Sequence, residues 1–523
     1  MKYDLGQYAD RVKRTLDILD KQDFGRRIWE KDASLWRQDE AGAQIIKDRL
    51  GWLNIVSDIS GQTDAIIEFA EEIQEAGFKH AVLIGMGGSS LCPEVSRLTF
   101  GVKNGYPDLI VLDSTVPETI LKLDKQINPA ETLFIVSTKS GATVETLSAY
   151  RYFRKKAQGR QFVAITDPDS ELEEEVHGVG FRGIFNNPPD IGGRFSALSY
   201  FGLVPAAIIG IDVKLLLSRA ASMMKLCAPR VKPSENPGII LGAIMAELAM
   251  MGRDKLVLSM SPKIRSFGAW IEQLVAESTG KHGTGILPID GDYSGDDALT
   301  VYVTMKNEPD AVKNQPFVQI VLDDEYDLGG EYFRWEFAAA VASALLGVNA
   351  FDQPNVQEAK DVTGRLLKES SIGDLGLRIG DWGVRIPAFL NQYQPGNYFA
   401  LMAFLDRSEE VDDLLRQIQT RIQKTCHAPV TVGYGPRFLH STGQFHKGGP
   451  NSGIFIQFTA DDAEDVSIPG ADYTFSTLKQ AQALGDAIAL QGKGRPFIRL
   501  HLGGDIVGGL KHLLSLIEET NSS

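Results

Sequence analysis

Residues 80–93 of this chain read HAVLIGMGGSSLCP, a short apolar run followed at once by a glycine-rich turn. Three similar apolar runs come next, each bounded by Gly, Asp or Ser and separated by helix-length segments: DLIVLD (108–113), TLFIVS (132–137) and QFVAIT (161–166). This alternation of strand and helix predicts a parallel sheet that is covered by helices on both faces.

A second series of apolar runs predicts a second unit of the same kind: KLVLSM (255–260), LTVYVTM (299–305) and FVQIVLD (317–323), flanked by amphipathic helices at 266–277 and 331–347. Residues 225–238, rich in Pro and Gly, are typical of a linker. Strand-like runs continue to the C-terminus. We therefore expect four parts: an N-terminal helical segment (1–75), two α/β domains (76–224 and 239–405), and a C-terminal α/β segment (406–523) that completes the second domain and the active site.

Composition excludes several classes of protein. The 523 residues include 53 Lys+Arg and 68 Asp+Glu, so the net charge is −15, which disfavours nucleic-acid binding. Three distant cysteines without a CxxC pattern argue against a disulfide scaffold or a zinc site. The N-terminus is charged throughout, and the longest apolar stretches are too short to span a bilayer. We expect a cytoplasmic protein that binds neither membranes nor nucleic acids.

The turn GMGGSSLCP (85–93) is the first candidate binding element. A glycine-rich turn between a strand and a helix N-terminus presents free backbone N–H groups, which suit phosphate, and here Gly88, Ser89 and Ser90 would contribute. A dinucleotide site is an alternative, with Asp113 at the end of the next strand as the ribose ligand. However, Ser90 stands where a dinucleotide loop needs its third glycine. A purely structural turn is the other alternative.

A second hydroxyl-rich loop, TKSGATVET (138–146), also follows a strand. The candidate phosphate ligands in it are Thr138, Lys139, Ser140, Gly141 and Thr143. An ordinary helix N-cap with a capping box is the alternative. Because the carboxyl ends of neighbouring parallel strands meet at one edge of a sheet, we expect the two loops to lie close together and to bind one ligand.

Two further motifs carry groups suited to catalysis. In DIGGRFSALS (190–199), Gly193 and the glycine before it allow close approach of the backbone, and Arg194 offers a rigid fork of donors for a developing oxyanion. In SFGAWIEQLVAESTGK (266–281), Gln273 and Glu277 are four residues apart at the edge of an apolar helical stripe, where a carboxylate could act as a general base. The alternatives are a structural ion pair for the arginine and a solvated charge for the glutamate.

Two late segments complete the set of candidates. FDQPNVQEAK (351–360) predicts a helix start, with Lys360 two turns beyond Gln353. GPRFLHSTGQFHKGGP (435–450) is a glycine-rich stretch that holds His440 and His446, two of only eight histidines. Histidines in such loops favour a functional site over a core position, and no nearby residues complete a zinc site.

Taken together, these motifs resemble those of the phosphoglucose isomerase family, in order and spacing from roughly residue 80 to residue 365. Residues 395–510 resemble the isomerase half of bifunctional transaldolase/phosphoglucose isomerases. We expect no transaldolase-like half, because only about 75 residues precede the isomerase region. The resemblance implies an α/β fold: two sugar-isomerase (SIS) type three-layer units with parallel sheets, plus the C-terminal α/β segment.

The resemblance also implies a function and roles for residues. We expect reversible isomerisation of glucose 6-phosphate and fructose 6-phosphate in glycolysis and gluconeogenesis, by a homodimer that needs no metal or redox cofactor. Glu277 would transfer the proton between C2 and C1, and Arg194 would stabilise the enediolate. The two loops would bind phosphate, with Gln273 and Gln353 positioning the substrate.

The ring-opening histidine is less simply placed. The family has a His-Ser-x-x-Gln segment between the glutamate helix and FDQ, and this chain lacks it there. His440–Ser441–x–x–Gln444 is the nearest match, so the resemblance suggests that His440, with Lys360, opens the ring, and His446 is the rival. Alternatives to glucose 6-phosphate isomerisation are a non-catalytic sugar-phosphate sensor, a mannose 6-phosphate activity, and a dinucleotide-dependent oxidoreductase.

Overall fold

The computed structural model describes residues 1–36, 40–308, 314–368 and 381–520. Residues 37–39, 309–313, 369–380 and 521–523, which fall within the predicted parts of the chain, lie outside the described residues. By its contacts the chain divides into two compact units. The first comprises Met1–Asp113, Ile127–Gly291 and Ala298–Asp352, and the second comprises Ser114–Gln126, Asp292–Asp297 and Gln353–Ser523.

The strands of the described chain, in order, are β1 (Lys2–Asp4), β2 (His80–Gly85), β3 (Asp108–Leu112), β4 (Thr132–Ser137), β5 (Phe162–Thr166), β6 (Gly183–Asn186), β7 (Lys255–Met260), β8 (Leu287–Asp290), β9 (Ala298–Met305), β10 (Phe317–Leu322), β11 (Tyr398–Phe404), β12 (Val430–Tyr434), β13 (Gly453–Thr459) and β14 (Phe497–His501).

The α-helices, in order, are α1 (Ala9–Lys21), α2 (Phe24–Trp29), α3 (Glu40–Lys47), α4 (Ile55–Ser60), α5 (Thr63–Glu75), α6 (Leu91–Phe100), α7 (Pro117–Gln126), α8 (Val144–Arg154), α9 (Glu171–Val179), α10 (Tyr200–Ile208), α11 (Val213–Leu226), α12 (Pro237–Met250), α13 (Phe267–Thr279), α14 (Leu328–Leu345), α15 (Pro354–Leu366), α16 (Trp382–Leu390), α17 (Glu409–Cys426), α18 (Gly443–Gly448), α19 (Phe475–Gly492) and α20 (Ile506–Thr520).

The first unit contains two five-stranded sheets. One has the order β3-β2-β4-β5-β6, and all of its strands are parallel. The other has the order β1-β10-β9-β7-β8, and it is parallel except for β1, which pairs antiparallel with β10 at the edge. The central strands are buried along their length and apolar, as expected for parallel strands covered on both faces.

One continuous apolar core joins the two sheets of the first unit, and the N-terminal helices belong to it. The Trp52 ring stacks on Phe195 with ring centroids 5.3 Å apart. The Trp29 and Trp36 indole N–H groups donate to the carbonyl oxygens of Cys227 (2.7 Å) and Ala340 (2.8 Å). The N-terminal tryptophans therefore anchor that segment on the rest of the unit.

The second unit has its own sheet, β12-β11-β13-β14, with every strand parallel, and its own apolar core. Helix α7, which lies in the chain between β3 and β4, belongs to this unit. Thr119 Oγ1 donates to Asp406 at 3.2 Å, and Thr115 Oγ1 donates to Gln482 at 2.8 Å.

The architecture confirms the predicted α/β class with parallel sheets. The predicted domain limits differ from the observed units. Strand β11 pairs with β12 and β13, so the structure separates the chain near residue 352 and not at 405, and the C-terminal segment builds a third sheet instead of extending the second. Residues 1–75 are part of the first unit, to which β1 adds an edge strand. Across the described residues, no helix combines the length and the apolar character needed to cross a membrane.

Candidate active site

The two hydroxyl-rich loops leave the first sheet side by side. Strands β2 and β4 pair in register, with Gly85 opposite Ser137, so the loops that follow them start at the same edge. The Ser137 hydroxyl donates to the Ser89 carbonyl at 3.1 Å, which links the end of β4 to the first loop. The structure thus brings together the loops that the sequence analysis expected to bind one ligand.

The first loop packs directly against the DIGGRF segment. A Cβ atom added to Gly88 would lie 1.9 Å from the Gly193 carbonyl oxygen, so this position accepts only glycine without a shift of the backbone. Ser89 and Ser90 are buried, and the Ser90 hydroxyl donates to Gly87 (3.2 Å) and to Asp113 (3.3 Å). Asp113, the ribose ligand of the dinucleotide alternative, is therefore a hydrogen-bond partner of this loop.

In the second loop the hydroxyl groups of Thr138 and Thr143 are 2.9 Å apart. Thr143 is the N-cap residue of α8, but its side chain makes no cap hydrogen bond, so the capping alternative does not describe this loop. Gly141 has φ +70°, and a Cβ there would lie 2.7 Å from the Leu172 nitrogen. Ser140 is exposed and accepts from the Ala142 N–H at 3.3 Å.

Lys139 is held by neighbours at the base of this loop. Its ammonium group forms an ion pair with Asp167 and donates to the Pro189 carbonyl at 2.8 Å. Burial is the main cause that lowers the pKa of Lys139, and the Asp167 carboxylate opposes it. The charge of this lysine is therefore already compensated within the protein.

Arg194 and Glu277 form a buried ion pair. The guanidinium Nη1 lies 3.3 Å from Glu277 Oε1, and both side chains are less than 5% exposed. Arg194 Nε donates to the Ser278 hydroxyl at 2.8 Å, and Nη2 donates to the carbonyl oxygens of Ala350 and, at 3.3 Å, Asp352. Burial lowers the pKa of Arg194, against the effect of Glu277. These contacts fix the guanidinium plane in one orientation.

Glu277 is also held from its own helix. Gln273, one turn earlier on α13, donates from Nε2 to Glu277 Oε2 at 3.2 Å. One carboxylate oxygen thus faces the guanidinium and the other faces an amide N–H, an environment that suits an ionised carboxylate. The solvated alternative for Glu277 is wrong, because tertiary packing covers the edge of the helical stripe on which it lies.

Lys281 is a buried cation beside this pair that the sequence analysis did not select. Its Nζ lies 3.0 Å from Asp352 Oδ1 and donates to the Asn349 carbonyl. The side chain is fully buried, and this burial, followed by the charge of Arg194, lowers the pKa of Lys281 to about 7. The residue lies inside the quoted motif, but no local pattern shows that a lysine after the helix end is buried.

The remaining candidates lie in the second unit. Gln353 is the exposed N-cap residue of α15, and Lys360 is exposed on the same helix. His440 ends a short 3₁₀ turn and is partly exposed. Gln444, in α18, accepts from the Asn355 N–H (3.0 Å) and donates to Asn355 Oδ1 (2.9 Å). This double hydrogen bond holds the His440 segment beside the helix that carries Lys360.

His446, the rival of His440, is fully buried. Its Nδ1 is 2.9 Å from the Tyr398 hydroxyl, and the Phe455 ring packs edge-on with centroids 5.2 Å apart. Burial, assisted by the charge of Lys447, holds the pKa of His446 well below its ordinary value. This environment favours the neutral form of the His446 imidazole.

Known proteins resemble this chain in sequence. The phosphoglucose isomerase family model matches residues 46–287. A probable glucose-6-phosphate isomerase of Methanococcus maripaludis is 28% identical over 394 residues, which cover 63% of this chain and 88% of that protein. A glucose-6-phosphate isomerase of Parabacteroides distasonis is 30% identical over 398 residues, with 62% and 88% covered.

Solved structures resemble its fold. A hypothetical protein of Thermus thermophilus matches with a TM-score of 0.59 and 24% identity, over 69% of this chain and 97% of that one. A glucose-6-phosphate isomerase from Chlamydia trachomatis matches with a TM-score of 0.52 and 20% identity, over 66% and 78%. At these identities the structural likeness supports a common fold.

Proposed function

The chain belongs to the phosphoglucose isomerase family, and from this premise we propose that it interconverts glucose 6-phosphate and fructose 6-phosphate. Family membership confirms the assignment made from the sequence motifs and makes the chain an enzyme of the aldose–ketose isomerase class. Mannose 6-phosphate remains a candidate side substrate, because it differs only in configuration at C2.

The buried Arg194–Glu277 pair is the observation that supports this proposal best. A proton abstraction next to a carbonyl needs a carboxylate base and a positive group for the charge that develops on oxygen. The two groups lie 3.3 Å apart and away from water, where electrostatic stabilisation is strong. A sugar-phosphate sensor would need the loops alone and would have no use for this pair.

In the mechanism that we propose, Glu277 removes the C2 proton of the open-chain aldose and returns it to C1. The electron pair of the broken C–H bond forms the cis-enediolate, and Arg194 stabilises its oxygens. The carbonyl group of the substrate already acidifies the adjacent C–H bond, so the step requires no cofactor. Gln273 holds the carboxylate in position through its 3.2 Å hydrogen bond.

Phosphate binding is assigned to the two loops. The donors are backbone N–H groups around Gly88 and Gly193 together with the side chains of Ser89, Ser90, Thr138, Lys139, Ser140 and Thr143, with Gly141 allowing the turn. Of these residues, Ser140 is exposed and Thr143 is partly exposed, whereas the buried Ser90 donates its hydroxyl to Gly87 or Asp113. We therefore assign Ser90 a role in shaping the loop.

Ring opening is assigned to His440, with Lys360 and Gln353 on the helix to which its segment is bonded. Accessibility supports His440 over His446. His440 is accessible, whereas His446 is buried against Tyr398 and Phe455. The Gln444–Asn355 double hydrogen bond also places the His440 segment beside the Lys360 helix within the second unit.

Substitution of the base tests the proposal. Glu277→Gln keeps the shape of the side chain but removes its basicity and one of its two acceptor oxygens, so kcat should fall by about 10²–10⁴-fold with nearly unchanged binding of sugar phosphate. Turnover of fructose 6-phosphate is measured, in the presence of a chelator, by coupling the glucose 6-phosphate that forms to the reduction of NADP by an added dehydrogenase. In D₂O, nuclear magnetic resonance should show deuterium entering C2 of glucose 6-phosphate with the unmodified protein and not with the variant.

Glu336→Gln is a matched control. Glu336 is a fully buried carboxyl group on α14 whose pKa is raised well above its ordinary value by burial, so glutamine replaces it in its neutral form. This variant should retain turnover. Wild-type turnover in Glu277→Gln would show that the base is elsewhere, and saturable binding without any turnover in the unmodified protein would favour a sensor.

A further inference from the structure

We propose that Arg49, from the N-terminal segment, is a second cationic ligand of the substrate phosphate, an inference that rests on the proposed function. The sequence analysis assigned no ligand to residues 1–75. The structure places Arg49 just after α3, partly exposed, in the first unit together with both phosphate loops.

The backbone around Arg49 is fixed against the segment before Arg194. Leu50 forms an antiparallel bridge with Ile191, and the Gly51 N–H donates to the Asp190 carbonyl at 2.9 Å. A Cβ on Gly192 would lie 3.9 Å from Arg49 Cδ. Arg49 therefore packs against Gly192. The next residue, Gly193, contacts Gly88 of the first loop.

The guanidinium also lies close to the ammonium group of Lys139, from the second loop. Arg49 Nη1 donates to the Pro189 carbonyl at 3.2 Å, and the same oxygen accepts from Lys139 Nζ at 2.8 Å. The two cationic nitrogens are therefore within about 6 Å of each other. The charge of Arg49 contributes to lowering the pKa values of Lys139 and Arg194, after the larger effect of burial on each.

The balance of charge points to an anion at this place. Lys139 is paired with Asp167, Arg194 with Glu277, and the nearby Lys31 with Asp190 at 3.4 Å. Arg49 donates to the carbonyls of Pro189 and Asp48, and it forms no ion pair with any carboxylate whose side chain the structure describes. Among these four cations, Arg49 is therefore the one whose positive charge is not balanced by a carboxylate, although the protein as a whole has a net charge of −15.

A phosphate monoester would supply the negative charge that the Arg49 guanidinium lacks as a partner. Arginine presents its donors in a planar fork that matches two phosphate oxygens, and charge-assisted hydrogen bonds of this kind are the strong ones. Hydroxyls and N–H groups of the two loops solvate phosphate but do not neutralise a dianion. Arg49 provides that positive charge from outside the loops.

The test compares Arg49→Met, which keeps the length of the side chain, with Arg49→Lys, which keeps its charge. For Arg49→Met we expect KM for fructose 6-phosphate, and the inhibition constant of inorganic phosphate, to rise by about 10- to 100-fold while kcat stays within about twofold. Arg49→Lys should recover a large part of both. Arg26→Met, at an exposed arginine on α2, is the control for an equal change in net charge.

A merely structural Arg49 would give a different pattern. Its loss would lower the thermal midpoint and kcat without weakening phosphate binding, and unchanged KM and phosphate inhibition would overturn the proposal. Direct calorimetry with inorganic phosphate separates this proposal from the proposed function. If the unmodified protein does not isomerise the sugar phosphates but binds phosphate through Arg49, the function fails and the anion site stands.

Discussion

At the scale of single residues, the active-site region contains a buried cation with an unusual pH response. Lys281 has a folded-state pKa of about 7 against an ordinary value of 10.5, because burial, and then the charge of Arg194, oppose its protonation, while Asp352 and Glu277 favour it. At a pH between these two pKa values, the Lys281 side chain is protonated in the unfolded chain and neutral in the folded protein. The stability contributed by Lys281 therefore rises with pH from about 7 upward.

Lys281→Met should remove this rise. We expect the difference in unfolding free energy between the unmodified protein and the variant to grow by about 1.4 kcal/mol per pH unit above pH 7, and to be constant below it. Urea unfolding at several pH values from about 6 to about 9 measures this difference. Lys263→Met, at an exposed lysine, is the control for the loss of one positive charge. A pH-independent difference for Lys281→Met would contradict the folded-state pKa.

The sequence revealed the residues of the site unevenly, for a physical reason. Gln273 and Glu277 could be placed together because helical spacing is local, and the structure joins them with a hydrogen bond. Arg194 could be nominated, but its carbonyl partners at Ala350 and Asp352 are about 150 residues away, and no periodicity encodes that approach. Lys281 and Arg49 were missed because burial and charge balance are properties of the folded chain.

At the scale of elements, the two glycine-rich segments pack directly against each other through their backbones. The turn after β2 and the turn that carries Arg194 meet where Gly88 faces the Gly193 carbonyl. The atoms in contact there are backbone atoms, so no side-chain movement can relieve a larger residue. The position of Arg194 relative to the first loop therefore depends on the absence of a Cβ atom at residue 88.

Gly88→Ala tests this dependence. The added methyl group would lie 1.9 Å from the carbonyl oxygen, so the turns must separate, and we expect a loss of about 1–3 kcal/mol in stability together with a clear fall in kcat/KM. Thermal melting and steady-state kinetics measure the two effects. Gly178→Ala on α9, where a Cβ meets no atom within 4 Å, should preserve both. Unchanged kinetics for Gly88→Ala would show that the turns need not touch.

Elements with a clear local signal were predicted well. The apolar runs after residue 80 became β2, β4 and β7 with the expected limits. Strand β11, YFALMAF, was missed, although every residue in it is buried. A fully buried parallel strand shows no alternation, and β11 differs from the equally buried β4 in containing Ala and Met, which favour helices, so its sequence does not distinguish it from a buried helix. This omission displaced the predicted domain boundary to residue 405.

At the scale of the whole molecule, the proposed mechanism separates proton transfer at carbon from ring opening, which we assign to His440. This separation makes a prediction about cyclic and acyclic sugar phosphates. A His440→Asn variant should lose about 10²-fold or more in kcat for glucose 6-phosphate, which is cyclic, while its affinity for sorbitol 6-phosphate, which has no ring to open, stays unchanged.

Steady-state kinetics and calorimetry measure these two quantities, and a thermal melt confirms that the variant is folded. Loss of both turnover and sorbitol 6-phosphate binding would indicate a structural or binding role for His440. Undiminished turnover would remove it from the mechanism and reopen the search for the ring-opening group.

The second unit is assembled from distant parts of the chain, and this has a consequence for the timing of synthesis. Thr115, just before α7, bonds to Gln482, which is 367 residues later in the chain. At typical translation rates, about 20 to 70 s pass between the emergence of these two residues from the ribosome. Asp406, the partner of Thr119, emerges within that interval, whereas Gln482 arrives only at its end. The segment around Thr115 is therefore exposed to chaperones and proteases in the nascent chain before its last contact can form.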